Sequence, residues 1–363
     1  MGLEVICIAG IIASIKNFFR AFYMYGDYYF RLRGDRAKAV FYFTVIFASI
    51  LSVIFYTSAE FIPKIYEVDI QYETLLIQCV RITAVTFLFE AVNNQLSSYM
   101  IYTGQEKLCS VINFIYYIFM IVLDIIAVIV FNSIKLVIIF TGICLFVSDI
   151  VLYKVCGIHR KKYNKSDFRH IIVDGFPYFF NSCICKIATT LINIFATRLG
   201  TIDYAVLVIS RKALEFGQQC LLPIEPISIV SFRNKKVGYK ELITALKYVL
   251  IIGSFISLSV GYLVVFIIKG SLTMSQIMIP FTIAIITSLP TYTFFMLGHT
   301  KTILDDRRDL MNKTAFIRLF ITLILCILSF CYGIWPLLMY STAVDTIIGI
   351  YIYKNSNKSI NFQ

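Results

Sequence analysis

Glu90, Asp124, Asp149, Lys186, Glu215, Glu225 and Asp345 are ionisable residues set inside long apolar stretches of the chain. At the centre of a bilayer such a side chain costs about 2.5–3.5 kcal/mol on insertion scales, so it faces a partner or a water-filled cavity. That is the chemistry of ion and solute passage. A buried carboxylate can take up and release a proton or a small cation as a cavity alternates, and Asp124 and Asp149 lie on consecutive apolar stretches. The plainer reading is a satisfied structural acid, with Asp124 bonding a neighbouring helix. Lys186, beside Cys185, suits an anionic group such as a lipid-linked sugar pyrophosphate; its plainer reading is snorkelling, or pairing with Asp149 or Glu215. Glu215 follows Arg211 and Lys212 at i−4 and i−3 spacing, so an intrahelical pair can neutralise it. Pro223 and Pro226 flank Glu225, and the carbonyls they free make a kink able to line a cavity. Glu90, Asn181, Cys185, Lys186, Glu215 and Glu225 are therefore the expected lining of a substrate cavity, with Asp149 and Asp124 as the expected ion or proton carriers.

One motif points to an enzyme. Asp305-Asp306-Arg307-Arg308-Asp309 has the DDxxD form with which prenyl-transferring enzymes hold magnesium and pyrophosphate, hard oxygen ligands for a hard cation. Such enzymes set a second Asp-rich motif against the first, and the sequence has none, so Asp305, Asp306 and Asp309 read better as a solvated loop. The ten cysteines form no CxxC pair and fall almost wholly in apolar stretches, where they serve as small packing residues. His159, His170 and His299 fall in or beside polar connections, away from the intramembrane position of acyl-transfer enzymes and metalloproteases. The expectation is a protein that is not an enzyme, with no cofactor and no bound metal beyond a coupling ion, H+ or Na+.

The elements that must position these residues are membrane helices. A hydrophobic fraction of 59% and a mean hydropathy of +0.81 exceed what a soluble domain carries, and a span needs roughly 20 apolar residues. Eleven stretches qualify, near 3–25, 39–62, 75–102, 108–131, 136–156, 171–197, 203–231, 242–268, 275–297, 314–332 and 334–353. Backbone amides in hydrocarbon must be bonded within their own segment or a neighbour, and the period-2 alternation of a barrel is absent, so an all-α bundle is predicted. The connections alternate in charge. Those holding Arg31, Arg33, Arg36 and Lys38, then Lys107, then Lys154 through Arg169, and so on to Lys358, carry twenty-one Lys and Arg; the intervening ones carry only Lys64, Lys135, Arg198 and Lys269. Short basic connections stay in the cytoplasm, so the net charge of +12 reflects topology and not a nucleic-acid surface. The expected partners are the lipid bilayer and a small-molecule or lipid-linked substrate, with no nucleic acid, for a monomer in a plasma membrane, bacterial by type. The start Met1-Gly2-Leu3-Glu4 lacks the basic n-region of a cleavable signal peptide.

The stretches repeat. Tyr102-Thr103-Gly104-Gln105-Glu106-Lys107 follows the third and Met296-Leu297-Gly298-His299-Thr300-Lys301 the ninth, two turns of the form G-x-x-K that stand 194 residues apart. Gly34-Asp35-Arg36 precedes the second and Gly238-Tyr239-Lys240 the eighth, 204 residues apart. A repeat in the same orientation implies two bundles about an axis along the membrane normal. The predicted organisation is an amino-terminal lobe, 1–157, of about five helices; a basic cytoplasmic linker, 158–170; and a carboxy-terminal lobe, 171–363, of six, the two lobes pseudo-symmetric around a central cavity. An odd span count with the tail inside implies that a first helix is missing, or that 3–25, interrupted by Lys16 and Arg20, does not cross simply. A decayed, inactive remnant is the corresponding expectation.

Four features in order resemble the multidrug and toxic compound extrusion family, within the superfamily that includes oligosaccharide-lipid flippases. They are Gly34-Asp35 with Ala39, the Gly104 turn, Leu123-Asp124 in the helix after it, and Gly175-Phe176-Pro177 opening the second half before Leu199-Gly200. The resemblance covers nearly the whole chain from the second expected helix onward. It implies a twelve-helix fold of two six-helix lobes that rock between inward and outward states, exporting a bulky amphipathic or cationic solute against sodium or proton entry. Family members often place an ion-binding Asp in the first helix, absent here, and an acid in the seventh, where this chain has Cys185 and Lys186. Of the family's amino-lobe ion site, Asp149 in the expected sixth helix has a counterpart. A flippase with Lys186 in its cavity is the alternative of the same superfamily.

Overall fold

The computed structural model of the chain describes residues 3–23, 37–158, 166–221, 239–267, 274–304 and 307–356, and every regular element among them is helical. Eleven long helices follow one another: α1 (Leu3–Tyr23), α2 (Ala37–Thr57), α3 (Ile70–Tyr102), α4 (Glu106–Ile129), α5 (Ile134–Cys156), α6 (Ser166–Leu199), α7 (Thr201–Leu221), α8 (Tyr239–Ile267), α9 (Met274–Leu304), α10 (Arg308–Tyr332) and α11 (Tyr340–Ser356). A 3-10 turn, Ser58–Phe61, and one helical turn, Ile62–Ile65, continue α2; another single turn, Trp335–Leu338, leads into α11. Eight of the eleven are long and apolar enough to cross a membrane, and α1, α7 and α11 are not among them. The reasons are local. Glu4, Lys16 and Arg20 interrupt α1; Asp203, Arg211, Lys212 and Glu215 interrupt α7; and α11 is 17 residues long because the stretch predicted at 334–353 is divided at Met339. The span predicted at 203–231 is described only as far as Leu221, so Glu225 with Pro223 and Pro226 lies outside the described residues, as do Asp305, Asp306 and Gly34-Asp35.

Contacts divide the chain into two compact units, Ile8–Lys186 and, together with Gly2–Cys7, Ile187–Gln363. The division falls inside α6, beyond the connection at 158–170, because the first turns of α6 are tied to the first unit: Ile171 is fully buried with Ala39, Val40, Leu96, Met100 and Leu152, and Phe168 meets Phe43. In the first unit α3 packs on α2 and α5, and α5 on α4; in the second, α9 packs on α8 and α11, and α11 on α10. The packing order therefore repeats. Each unit has its own apolar centre, Ala48, Leu51, Phe87 and Ala91 in one and Leu214, Leu242, Phe281, Ile285 and Leu289 in the other. α4 exposes Phe114, Phe119 and Ile129, large apolar side chains of the kind that lipid chains solvate.

The two G-x-x-K segments part company in structure. Gly104 takes φ +79° after α3, and the N–H of Gln105 bonds the carbonyl of Met100 at 2.8 Å, closing the helix with a left-handed residue. Gly298 stays within α9, which runs on to Leu304, so the second turn predicted there is not a turn. Its missing side chain serves contact instead: a Cβ at Gly298 would stand 3.0 Å from Ile352 Cγ2 of α11.

Candidate ion and solute site

Asp149 is carried by α5, whose ends are fixed by its sequence. Ser133 caps the first turn by accepting the N–H of Leu136 at 3.4 Å, and Gly157 ends it at φ +68°. Two turns before Asp149, Gly142 brings α5 close to α3, since a Cβ there would stand 2.5 Å from Thr86 Cγ2. The face that follows, Leu145, Ser148, Asp149 and Leu152, is buried. Asp149 is 7% exposed, and neither carboxylate oxygen has a hydrogen-bond partner among the described residues. Beside it Asn93 of α3 donates to the hydroxyl of Ser148 at 3.0 Å. A carboxylate, an amide and a hydroxyl are oxygen donors suited to a proton or a hard cation, and a buried acid left alone is costly. Asp124 stands on α4 near Cys144 of α5, with one oxygen buried and unbonded among the described residues. Between α4 and α5 runs a cavity of about 490 Å³ walled by Ile115, Phe119, Leu123, Ile143 and Val147, with Tyr116, Ser148 and Cys144 as its few polar side chains.

The other predicted residues fall elsewhere. Glu90 forms an ion pair with Lys16 of α1 at 2.6 Å, so it is neutralised inside the first unit. Asn181, Cys185 and Lys186 follow along α6, where the Cys185 thiol donates to Asn181 Oδ1 at 3.6 Å. Glu215 pairs with Lys212 at 2.6 Å, the intrahelical partner its spacing predicts. Arg211 turns away from Glu215: it donates to Asn193 Oδ1 of α6 at 2.9 Å and lies over the ring of Tyr340. Asp309 accepts both arms of Arg307 at 3.2 and 3.3 Å in the first turn of α10. Among the described residues no group of three His, Cys, Asp or Glu is placed to hold a metal.

Sequence reasoning missed Asn93 and Ser148, though Asn93 follows Glu90 by one turn and Ser148 adjoins Asp149. It also missed the pair Arg318–Asp345, 3.7 Å apart between α10 and α11. In the second unit Thr342 of α11 meets Thr287 and Ser288 of α9 at 2.8 and 2.9 Å. Thr287 follows Asn93 by 194 residues and Thr342 follows Ser148 by 194, the offset of Gly298 from Gly104. The same polar bridge joins the same two helices of each unit.

No protein-family model and no curated protein sequence matches the chain. Solved structures do. An inward-facing multidrug resistance MATE family transporter of the MOP superfamily superposes with a TM-score of 0.70 at 15% identity, over 99% of this chain and 93% of that one. The chain has the fold of the MATE transporters. A mutant of the Vibrio cholerae MATE transporter VcmN gives a TM-score of 0.65 at 15% identity, over 98% of this chain and 87% of that one. The lipid II flippase MurJ, in an inward closed conformation, gives 0.65 at 16% identity, over 99% and 82%. These neighbours are transporters, and the MATE fold with its apolar helices makes this a multi-span membrane protein. The fold is shared across different cargoes, so the site must carry the argument about function.

Proposed function

We propose that the protein is a secondary active exporter of the MATE type, moving a bulky amphipathic or cationic solute out of the cell by alternating access, coupled to entry of H+ or Na+. The observation that carries this reading is Asp149: a carboxylate buried between α3 and α5 with no hydrogen-bond partner for either oxygen among the described residues, beside Asn93 and Ser148, in a MATE fold. An acid so placed is stable only with a proton or cation on it, and it couples transport if it releases that charge in one conformation more readily than in the other. Asp124, one helix away, is its expected accessory. The setting is a plasma membrane, bacterial by type, with the bilayer as solvent and the chain acting as a monomer.

A flippase for a lipid-linked oligosaccharide is the second reading. It is favoured by the likeness to MurJ and by Arg211, whose Nη2 is buried without a hydrogen-bond partner among the described residues. Proteoliposomes distinguish the two. Efflux of a fluorescent cationic dye under an imposed H+ or Na+ gradient, abolished by Asp149→Asn, is the expected outcome; gradient-driven efflux that is unchanged in Asp149→Asn removes Asp149 as the coupling residue. Translocation of a lipid-linked sugar pyrophosphate that is lost in Arg211→Gln, without dye efflux, establishes the second reading in its place.

A further inference from the structure

The offset of 194 residues that relates Gly104 to Gly298, Asn93 to Thr287 and Ser148 to Thr342 also takes Asp124 to Arg318. Asp124 stands on α4, which packs against α5, and Arg318 on α10, which packs against α11. The architecture is kept while the charge is reversed. In the first unit Asp124 and Asp149 form no ion pair among the described residues, and Asp149 has only the neutral Asn93 and Ser148 beside it. In the second unit the acid is Asp345, 4% exposed and one turn beyond Thr342, and Arg318 faces it at 3.7 Å. Arg318 also lies over the ring of Phe295 of α9, which meets the rings of His299 at 5.3 Å and Tyr292 at 6.3 Å along the same helix. Arg318 is thus the basic group that α10 brings to Asp345, and the hydroxyls of Thr287, Ser288 and Thr342 lie one turn away along α11 and across on α9.

We propose that Arg318 is a built-in cation: it supplies Asp345 with the positive charge that the first unit must take from solution, so the second unit is permanently loaded and coupling is confined to the first. The claim rests on cation coupling at Asp149. An ion pair that balances itself inside a low-dielectric bundle needs nothing from solution, whereas removing one partner leaves a buried charge that demands a replacement. Taking away the guanidinium therefore opens a second cation site at Asp345, for a sodium ion or a proton.

The test is thermal unfolding of the purified full chain in two titrations, sodium at fixed pH and ionic strength, and pH without sodium. Wild type is expected to gain Tm in a single cation-dependent step that Asp149→Asn removes. Arg318→Gln is expected to show a second step, which survives in Arg318→Gln/Asp149→Asn and disappears when Asp345→Asn is added; the titration that shows it identifies the ion. Indistinguishable curves for that double and that triple variant, in both titrations, overturn the proposal. Should Arg318→Gln not fold, Arg318→Gln/Asp345→Asn decides: folding of this charge-free pair shows that the unpaired acid was at fault, and its failure overturns the proposal in favour of packing on Phe295. A wild-type step that is insensitive to Asp149→Asn counts against coupling at Asp149, while the comparison with and without Asp345 still decides the claim for the second unit.

Discussion

Asp149 was visible in the sequence as an acid where apolar residues should be, whereas the company of each buried charge was not, because spacing along one helix does not say which side chain of another helix faces it. Lys16 and Glu90 make the point. The first reads as an interruption of an apolar stretch and the second as a lining residue of a cavity, yet they meet at 2.6 Å between α1 and α3. Arg318 and Asp345 are likewise distant in sequence and paired in the fold. Glu215 was legible because its partner, Lys212, lies on its own helix. For Lys16 and Glu90 the physics gives a sign and a size. Breaking a fully buried pair costs about 3–5 kcal/mol, mostly the penalty on the charge left behind. Lys16 keeps 31% of its side-chain surface exposed and Glu90 keeps 14%, so solvent screens part of that penalty. Lys16→Met is expected to destabilise the protein by about 1–3 kcal/mol, and the further change Glu90→Gln to restore more than half of the loss, measured as Tm in detergent. A double variant no more stable than Lys16→Met would show that Lys16 acts through its methylene stem and not its charge.

At the level of helices, eight of the eleven expected spans were legible because apolar runs of span length have few alternatives in a bilayer. Their breaks were harder. G-x-x-K reads alike at Gly104 and Gly298, but only the first takes a left-handed backbone; the second is a contact glycine, and that role depends on Ile352, fifty-four residues on. The sharpest use of glycine is the crossing of α7 and α8. A Cβ at Gly217 would stand 2.8 Å from the carbonyl oxygen of Gly253, and one at Gly253 would stand 2.9 Å from that of Gly217. Backbone cannot rotate aside as a side chain does, so either methyl group must drive the helices apart. Gly217→Ala and Gly253→Ala are each expected to cost about 1–3 kcal/mol through overpacking, despite alanine's higher helix propensity. Gly298→Ala, which meets a methyl group at 3.0 Å, is the contrast: propensity returns about 1 kcal/mol and the methyl can yield, leaving Tm near that of wild type. Equal losses at all three glycines would contradict this ranking.

In the molecule as a whole, one scaffold appears twice with different chemistry in each copy. The alternation of basic connections, the repeat of helix packing and the bridges Asn93–Ser148 and Thr287–Thr342 belong to the scaffold. Asp124 and Asp149, without an ion pair among the described residues of the first unit, and the pair Arg318–Asp345 of the second are what differ. If that division holds, the two bridges have unequal duties. On the proposed coupling at Asp149, the Asn93 amide beside that carboxylate helps to set its affinity for the ion. Thr342 joins only hydroxyls, and its bonds tie α11 to α9. Thr342→Val removes those bonds at nearly constant shape and is expected to cost about 1 kcal/mol of stability while leaving the ion dependence of efflux where it was. Asn93→Leu is expected to shift the half-saturating cation concentration about tenfold, a change of about 1.4 kcal/mol in ion affinity, with a comparable loss of Tm. Titrating efflux against cation in proteoliposomes of both variants separates the duties, because a stability effect lowers the amount of active protein and not the cation concentration at half-maximal rate. A shift of the same size in Thr342→Val would mean that ion binding engages both units, and that the repeat is one of chemistry as well as of form.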